Sequence, residues 1–303
     1  MKQLNENIFH QYNKWKQGYS RKENSFKLRV RNFLSNREDA NKFKISKDGK
    51  HLNASDTVRI TDDDISDGKL PVPFGKVNWN FDCMSCTSLT SLEGAPKYVE
   101  NSFDCNNCEN LTSLVGAPEK VGRTFVCFGC TSLTSLDGAT EYVGCDFYCY
   151  DCSSLTSLKG APKKIGRCFD CNNCENLTSL VGAPEEVGGD FSCSECPNLT
   201  SLVGAPKKVG GIFDCSDCKK LKSLEGAPKE VGGAFDCNDC KNLTSLVGVP
   251  KKIDGYFDCS GCKNLTSLEG LPKEIGGNLY IDGRFKGKIP DDVIVKGEIN
   301  YHG

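Results

Sequence analysis

Residues 103–124 read FDCNNCENLTSLVGAPEKVGRT, and this 22-residue unit decides the fold of the chain. The pattern F-D-C-x-x-C-x-N-L-T-S-L-x-G-A-P-x-x-V-G-G-x occurs nine times in succession over residues 81–278, without an insertion or deletion. The units begin at Phe81, Phe103, Phe125, Phe147, Phe169, Phe191, Phe213, Phe235 and Phe257, and a degenerate tenth begins at Leu279. A fixed period of this length predicts a solenoid, in which each unit buries its apolar side chains against its neighbours.

The first half of the unit has the pattern of a short β-strand. Phe103 and Cys105 alternate with polar residues, which is the period of two expected when one face of a strand is buried. Asp104 and Asn106 then point to the opposite, exposed face. In the second half, the small residues and Pro118 indicate an extended or polyproline-like return segment. Each unit is therefore expected to form one turn of a coil.

The unit resembles the leucine-rich repeat, whose pattern is L-x-x-L-x-L-x-x-(N or C)-x-L. Phe103 matches the second leucine, Cys105 the third, and Cys108 the Asn or Cys position. The unit departs from this pattern in two ways. Gly122 stands at the position of the first leucine of the following unit, and the segment after the cysteine is one residue longer. The second half of the unit is similar to that of the short leucine-rich repeats of bacterial or bacteriophage type.

This resemblance covers residues 81–278 and implies the architecture. A leucine-rich repeat solenoid is a right-handed coil of horseshoe shape, with a parallel β-sheet on its concave face. We expect an irregular or polyproline-like convex side and a small α+β cap region at the N-terminus. The expected division is 1–57, a basic α+β region; 58–80, a degenerate cap repeat; 81–278, the nine repeats; and 279–303, the degenerate tenth repeat and C-terminal cap.

Eighteen of the twenty cysteines lie in two columns of the repeat. The first column is Cys83, Cys105, Cys127, Cys149, Cys171, Cys193, Cys215, Cys237 and Cys259, and the second is Cys86, Cys108, Cys130, Cys152, Cys174, Cys196, Cys218, Cys240 and Cys262. The spacing C-x-x-C is that of zinc and iron–sulfur ligands. In a solenoid, however, the first column points inward, where free cysteine acts as a small hydrophobe. The resemblance implies that the second column hydrogen-bonds the turn backbone, so we predict a structural ladder without metal or cofactor.

The residue after each phenylalanine faces outward on the predicted concave sheet. Six of nine units carry aspartate there, so like charges stack at the spacing of neighbouring strands. The aspartates that we take as candidate binding residues are Asp104, Asp170, Asp214, Asp236 and Asp258. An acidic binding surface and a by-product of duplicating a polar unit both explain this column.

The third and fourth units lose these aspartates and place apolar side chains on the same face. Val126 and Phe128 fall beside Tyr148 and Tyr150, and Cys168 of the next unit also points outward. Exposed aromatic residues clustered on a polar sheet are typical of a protein-binding hot spot. Sequence drift in two old repeats would explain the same residues. Coverage of this face by the N-terminal segment would explain them as well.

The N-terminal region differs from the repeats in charge. Residues 1–50 carry +8 while the whole chain carries −2, so the remainder carries −10. Apolar residues at helical spacing predict a helix over residues 3–19, residues 26–33 suit a second helix or a strand, and residues 43–60 suit a hairpin with its turn at residues 47–50. The basic residues of the region include Arg21, Lys22, Lys27, Arg29 and Arg31. Nucleic-acid binding would be confined to this region, but no known motif supports it.

The sequence favours a binding protein over an enzyme. Its three histidines, His10, His51 and His302, lie outside the well-formed repeats, and no catalytic motif is visible. We expect a monomeric, non-catalytic scaffold that binds an unidentified protein on the concave face, similar to the leucine-rich repeat effectors that bacteria deliver. A structural component of a virus particle and a thiol-rich metal-binding protein are the alternatives. The first seven residues, MKQLNEN, lack the apolar run of a secretory signal, so we expect a protein of the cytoplasm, or of the host cytoplasm if delivered, that does not bind membranes.

Overall fold

A computed structural model describes residues 21–35 and 37–302, with the backbone alone for residues 21–24. The helix predicted over residues 3–19 lies outside this part of the chain. The first described element is the helix α1, Arg21–Leu34. It includes residues 26–33, for which the sequence allowed either a helix or a strand. Two short 3-10 helices, Ala40–Lys42 and Asp62–Asp64, follow it. Within the described residues, no helix combines the length and apolar character needed to cross a membrane.

The solenoid has two sheets, and the larger is named the Val sheet because a buried valine or isoleucine recurs in its strands. It has 13 strands. They are β1 Phe43–Ile45, β2 Leu52–Ala54, β4 Phe74–Val77, β6 Tyr98–Val99, β8 Lys120–Val121, β10 Tyr142–Val143, β12 Lys164–Ile165, β14 Glu186–Val187, β16 Lys208–Val209, β18 Glu230–Val231, β20 Lys252–Ile253, β22 Glu274–Ile275 and β24 Ile294–Val295. Apart from the antiparallel hairpin of β1 and β2, neighbouring strands are parallel.

The second sheet, named the Phe sheet, begins each repeat and has 12 strands. They are β3 Val58–Arg59, β5 Phe81–Asp82, β7 Phe103–Asp104, β9 Phe125–Val126, β11 Phe147–Tyr148, β13 Phe169–Asp170, β15 Phe191–Ser192, β17 Phe213–Asp214, β19 Phe235–Asp236, β21 Phe257–Cys259, β23 Leu279–Asp282 and β25 Ile299–His302. Its strands are all parallel, and Phe147 pairs with Phe125 on one side and with Phe169 on the other. The predicted solenoid with one 22-residue unit per turn is confirmed.

The return segment contains a strand that the sequence pattern does not predict. Between Leu111 and Glu119 the backbone has no regular hydrogen-bonded structure, as predicted. Lys120–Val121 then pairs with the same positions of the turns before and after it. The side chain of Val121 is buried while that of Lys120 is exposed. A two-residue stretch with one buried side chain is too short to show a period of two, so only the stacking of identical turns reveals this sheet.

The core is a continuous column of apolar side chains between the two sheets. The rings of the repeat phenylalanines stack from Phe81 to Phe257, with centroids 5.0–5.6 Å apart. These rings are fully buried, as are the two leucines of most turns. Because every turn has the same length, each ring meets its own counterpart, and this repetition supplies the packing that holds the coil together.

The start of the solenoid is covered by α1 and the hairpin. Phe33 of α1 packs edge-to-face on Phe43 at 5.7 Å and on Phe74 at 5.6 Å between ring centroids. Phe26 and Val30 lie on the same side of the helix and are also buried. The hairpin turns at the predicted position, since Gly49 N–H donates to the Ser46 carbonyl. The first turns of the core are thereby shielded from water.

Candidate protein-binding face

The four apolar residues of the third and fourth repeats meet on the outer face of the Phe sheet, and they are named the aromatic patch. Val126 and Tyr148 are direct partners in the parallel register of β9 and β11. The rings of Phe128 and Tyr150 stack with centroids 4.4 Å apart and planes 7° apart. Tyr148 meets Tyr150 edge-on at 6.3 Å. The structure therefore brings together all four residues that the sequence placed side by side, each about half-buried by its neighbours.

Acidic residues border the aromatic patch in the turns before and after it. Asp104 pairs in register with Val126, and Asp170 pairs with Tyr148. Burial raises the pKa of the Tyr148 phenol, and the nearby carboxylate of Asp146 raises it further. The two tyrosines are therefore neutral at pH 7. The result is an apolar surface that offers phenol hydroxyl groups and is flanked by carboxylates.

The aspartate column also has a structural role, because its carboxylates accept hydrogen bonds from the backbone of their own turns. Asp104 accepts hydrogen bonds from the backbone N–H of Asn106 at 3.0 Å and from its side-chain amide at 2.7 Å. The carboxylate of Asp258 accepts the N–H of Ser260 at 2.8 Å in the same way. An aspartate two residues before a bend commonly makes such a bond to its own backbone. The signal was in the sequence, because aspartate precedes a small polar residue at this spacing in most units.

Burial acts on these carboxyl groups in the opposite direction to the hydrogen bonds, which favour the charged form. Burial raises the pKa of Asp104 and of Asp170. Burial, with Asp258 and Asp214 nearby, raises the pKa of Asp236 to about 6. Stacked carboxylates of this kind favour the neutral form because each desolvates and repels its neighbour. The two explanations of the aspartate column, a selected acidic surface and a by-product of duplicating a polar unit, therefore remain alternatives. In either case the aspartates also stabilise the turns.

The aromatic patch lacks these turn-closing hydrogen bonds. Val126 and Tyr148 stand where other turns carry aspartate, and neither has a carboxylate to accept the N–H two residues later. A hydrogen bond to a charged acceptor contributes roughly 1.5–3 kcal/mol. The stacked rings of Phe128 and Tyr150 occupy this place instead. The two turns therefore exchange a favourable local bond for a partly exposed apolar surface.

The outer face of the Val sheet has the opposite character, since lysine and glutamate alternate along it. Lys164 pairs with Glu186 at 2.9 Å, and Lys208 pairs with Glu230 at 3.2 Å. These side chains are more than half exposed, so each pair contributes little to stability. Lys120 lies over the ring of Tyr142 at 5.1 Å. This face is a solvated, internally paired surface, unlike that of the Phe sheet.

Both cysteine columns are buried and unbridged. The first column points into the core, where its members are fully buried. The thiol of Cys108 donates to the carbonyl of Cys83 at 3.2 Å, and that of Cys174 donates to the carbonyl of Cys149 at 3.4 Å, one turn back in each case. Equivalent bonds recur along the second column. The expectation that the second column bonds the turn backbone is confirmed.

The described residues contain no group of three or more side chains arranged to hold a metal ion, and all twenty cysteines are free thiols. Burial raises the pKa of Cys171 well above that of an ordinary thiol, and it raises the pKa of Cys196 to about 12. A thiol of such high pKa is almost entirely protonated at neutral pH, so it is a poor nucleophile. Cys145 and Cys168, outside the columns, are half-buried.

We expect only Cys145 and Cys168 to react quickly with an aromatic disulfide reagent in the native protein. The other eighteen thiols are buried and should react only when the chain unfolds. Absorbance of the released thiolate should show two fast equivalents in buffer and all twenty in denaturant. A Cys145→Ser, Cys168→Ser variant should lose the fast phase and keep the slow one. More than two fast equivalents in the native wild type would contradict the buried ladder.

Three basic residues in the described part of the N-terminal region are engaged or buried within the chain. Arg37 bonds Asp64 at 3.3 Å, Lys42 lies 2.6 Å from Asp39, and Lys27 is buried. Arg29 is exposed on α1. A nucleic-acid site in this region stays a prediction.

Comparisons with known proteins give a limited result. No family model matches the chain, and no curated protein matches it. Among solved structures, a leucine-rich repeat protein of T. pallidum aligns with 75% of this chain and 88% of its own chain, at 17% sequence identity and a TM-score of 0.26. A similarity of that size supports no conclusion about function. The solenoid fold described above follows from the strand register of this chain.

Proposed function

We propose that the protein is a non-catalytic scaffold that binds a protein partner through the aromatic patch. The proposal rests on two adjacent turns in which stacked aromatic rings replace the aspartate and its turn-closing hydrogen bond. Tyrosine and phenylalanine provide large contact areas at low entropic cost and are enriched in protein-binding hot spots. The patch is on the outer face of a sheet, and a protein surface covers such a face more completely than a small molecule does.

The flanking carboxylates indicate the chemistry of the partner. Asp104 and Asp170 lie one turn before and one turn after the partly buried pair of Val126 and Tyr148. Asp146 is itself buried and lies beside Tyr148. Arginine suits such a site, because its guanidinium stacks on aromatic rings and pairs with carboxylates. We therefore propose a partner segment that presents an arginine or lysine next to an apolar side chain.

The variant Val126→Asp, Phe128→Asn, Tyr148→Asp, Tyr150→Asn tests this proposal. It restores the sequence that other turns carry at these positions, so we expect it to fold and to gain the turn-closing hydrogen bonds. The variant loses three aromatic rings, and if two of them contribute about 2 kcal/mol each, binding of a captured partner should weaken about 1000-fold. Affinity capture with quantitative mass spectrometry finds the partner, and calorimetry then measures its Kd.

A matched control removes tyrosines from the other sheet. Tyr98→Lys, Tyr142→Lys places lysine where the turns between and after them carry Lys120 and Lys164. This variant should retain the partner with unchanged Kd, because its substitutions lie on the outer face of the Val sheet. Equal capture by the wild type and the patch variant would rule out the aromatic patch as the binding surface.

A further inference from the structure

A cavity opens on the outer face of the Val sheet, between the hairpin of β1 and β2 and the strands β4 and β6. Its volume is about 330 Å³, at the lower end of the range of small-molecule sites. We name it the bulge cavity. Gly75 lies at its base, and the side chains that decide its chemistry are those of Lys47, His51, Asn53, Lys76, Lys97 and Tyr98. The aromatic patch contributes no side chain to it, so the two sites are separate.

The space for the cavity arises at a β-bulge in β4. Leu52 of β2 lies opposite Phe74. Two residues later Ala54 lies opposite Val77, so β4 has one residue more than β2 in this stretch. Such bulges interrupt strand pairing, change the direction of side chains and are frequent next to functional sites. The interruption falls at residues 75–76, at the base of the cavity.

Gly75 leaves this base without a side chain. It aligns with Lys97 of the next turn, and all nine complete repeats carry lysine or glutamate at this position. A Cβ atom at Gly75 would lie 2.3 Å from Asn53 Oδ1 and 3.1 Å from His51 Cβ. The first turn therefore lacks the long side chain of the later turns, and the carboxamide of Asn53 and the cavity occupy its place.

The side chains around the cavity leave hydrogen-bond donors open for a ligand. Asn53 Oδ1 accepts the Lys76 N–H at 2.7 Å, and no hydrogen bond within the described residues engages Nδ2 of Asn53. The Nδ1 atom of His51 lies 3.6 Å from the Asp48 carboxylate, which leaves Nε2 for a ligand. That carboxylate also accepts the Lys50 N–H at 3.1 Å, so it is engaged by its own hairpin. A ligand rich in acceptors would satisfy the open donors.

The charge of the cavity favours an anion, since the described residues that line it include three lysines and one acid. Lys76 lies 3.4 Å from Glu100. Lys97 lies 3.3 Å from Glu119. All four side chains are more than half exposed, so these ion pairs are weak and a ligand can compete with them. Among the residues that the structure describes, none forms an ion pair with Lys47.

The type of cation indicates which anion fits. Arginine is the residue for planar, bidentate recognition of a carboxylate, whereas lysine binds phosphate as a point charge. None of the described residues that line the cavity is an arginine. Three ammonium groups together with the amide of Asn53 suit the several oxygen atoms and the double charge of a phosphate monoester.

We propose that the bulge cavity binds a small organic phosphate whose planar ring packs against Tyr98. The side chain of Tyr98 is 47% exposed at the wall of the cavity, and aromatic faces pair favourably with other rings. The phosphate then meets the lysines and Asn53 while the ring meets Tyr98. A volume of about 330 Å³ suits a ligand of the size of a nucleoside monophosphate.

Calorimetry of the full chain with AMP, CMP and phenyl phosphate tests the proposal. At least one of them should bind saturably, and at least about tenfold more tightly than both its dephosphorylated counterpart and inorganic phosphate. Equal affinity for inorganic phosphate would mean an adventitious ion only and would overturn the site. Equal affinity for citrate would overturn the preference for phosphate. Absence of saturable binding for all three ring phosphates would overturn the proposal as a whole.

Two variants then locate the binding. Lys47→Gln, Lys76→Gln should weaken the ring phosphate at least about tenfold, because two exposed charges of the cavity are lost without a change in the core. The matched control is Lys164→Gln, Lys208→Gln, which removes two exposed lysines from the same sheet outside the cavity and should leave the Kd unchanged. Tyr98→Ala should reduce the affinity for the ring phosphate to that for inorganic phosphate. Unchanged binding in the first variant, or an equal loss in the control, would contradict the assignment.

The two proposed sites can fail independently. The bulge cavity lies on the outer face of the Val sheet, and the aromatic patch lies on the outer face of the Phe sheet. Loss of phosphate binding in Lys47→Gln, Lys76→Gln should therefore leave capture of the protein partner unchanged. A chain that binds no organic phosphate would leave the proposed function untouched.

Discussion

Phe169→Ala is expected to lower the free energy of unfolding by about 3–5 kcal/mol, which is the cost of removing a fully buried aromatic side chain. The ring of Phe169 stacks between those of Phe147 and Phe191, at 5.4 Å from each. It is fully buried in the middle of the column. Alanine would leave a cavity bounded by two rings whose positions are fixed by their own strands, so the core cannot collapse to fill it.

The interruption should also weaken coupling between the two halves of the solenoid, because each turn contacts only its neighbours. Denaturant unfolding followed by circular dichroism measures the change, and a broadened or biphasic transition would report the lost coupling. The control is Phe169→Leu, since Leu279 occupies the same column and is fully buried. We expect Phe169→Leu to cost clearly less than the alanine variant. A Phe169→Ala change below about 1 kcal/mol would contradict the importance of the ring stack.

Gly182→Ala is expected to destabilise the protein by at least about 2 kcal/mol, because two separate costs combine at this site. Gly182 has φ +95°, a backbone conformation that residues with a side chain rarely adopt. A Cβ atom there would lie 2.5 Å from the backbone nitrogen of Lys159 in the preceding turn. The atom that it meets is backbone held by the stacking of turns, so the clash cannot be relieved by a rotamer change.

Gly129→Asn provides the matched control, since it also has positive φ but different surroundings. Its φ is +67°, and the equivalent Asn107 and Asp151 adopt φ 53° and 56° with side chains present. A Cβ at Gly129 would meet the Oδ1 atom of Asn107, the end of a flexible side chain. We expect this variant to change stability by less than about 1 kcal/mol. Equal stability of Gly182→Ala and wild type in denaturant unfolding would show that the turns can separate to admit a methyl group.

The inward columns could be predicted from the sequence because a repeat of fixed length leaves no freedom of register. Once Phe103 and Cys105 are assigned inward, the same assignment holds for every turn, and the observed burial agrees. The side-by-side arrangement of Tyr148 and Val126 follows from the same register. Stacking of Phe128 on Tyr150 does not follow, since ring orientation depends on the side-chain conformations that the neighbouring turns allow.

One other feature depended on contacts between turns. The strands of the Val sheet, such as Lys120–Val121, are too short to have a recognisable pattern and exist because the next turn supplies their hydrogen bonds.

The sequence by itself determined the period, the inward and outward positions, and the structural role of the cysteines, because these are local rules repeated nine times at constant length. Tertiary structure alone decided how the outer rings pack and which aspartates have a pKa raised by burial. These properties depend on distances between side chains that lie one turn or more apart. Such distances are fixed only after the turns have stacked.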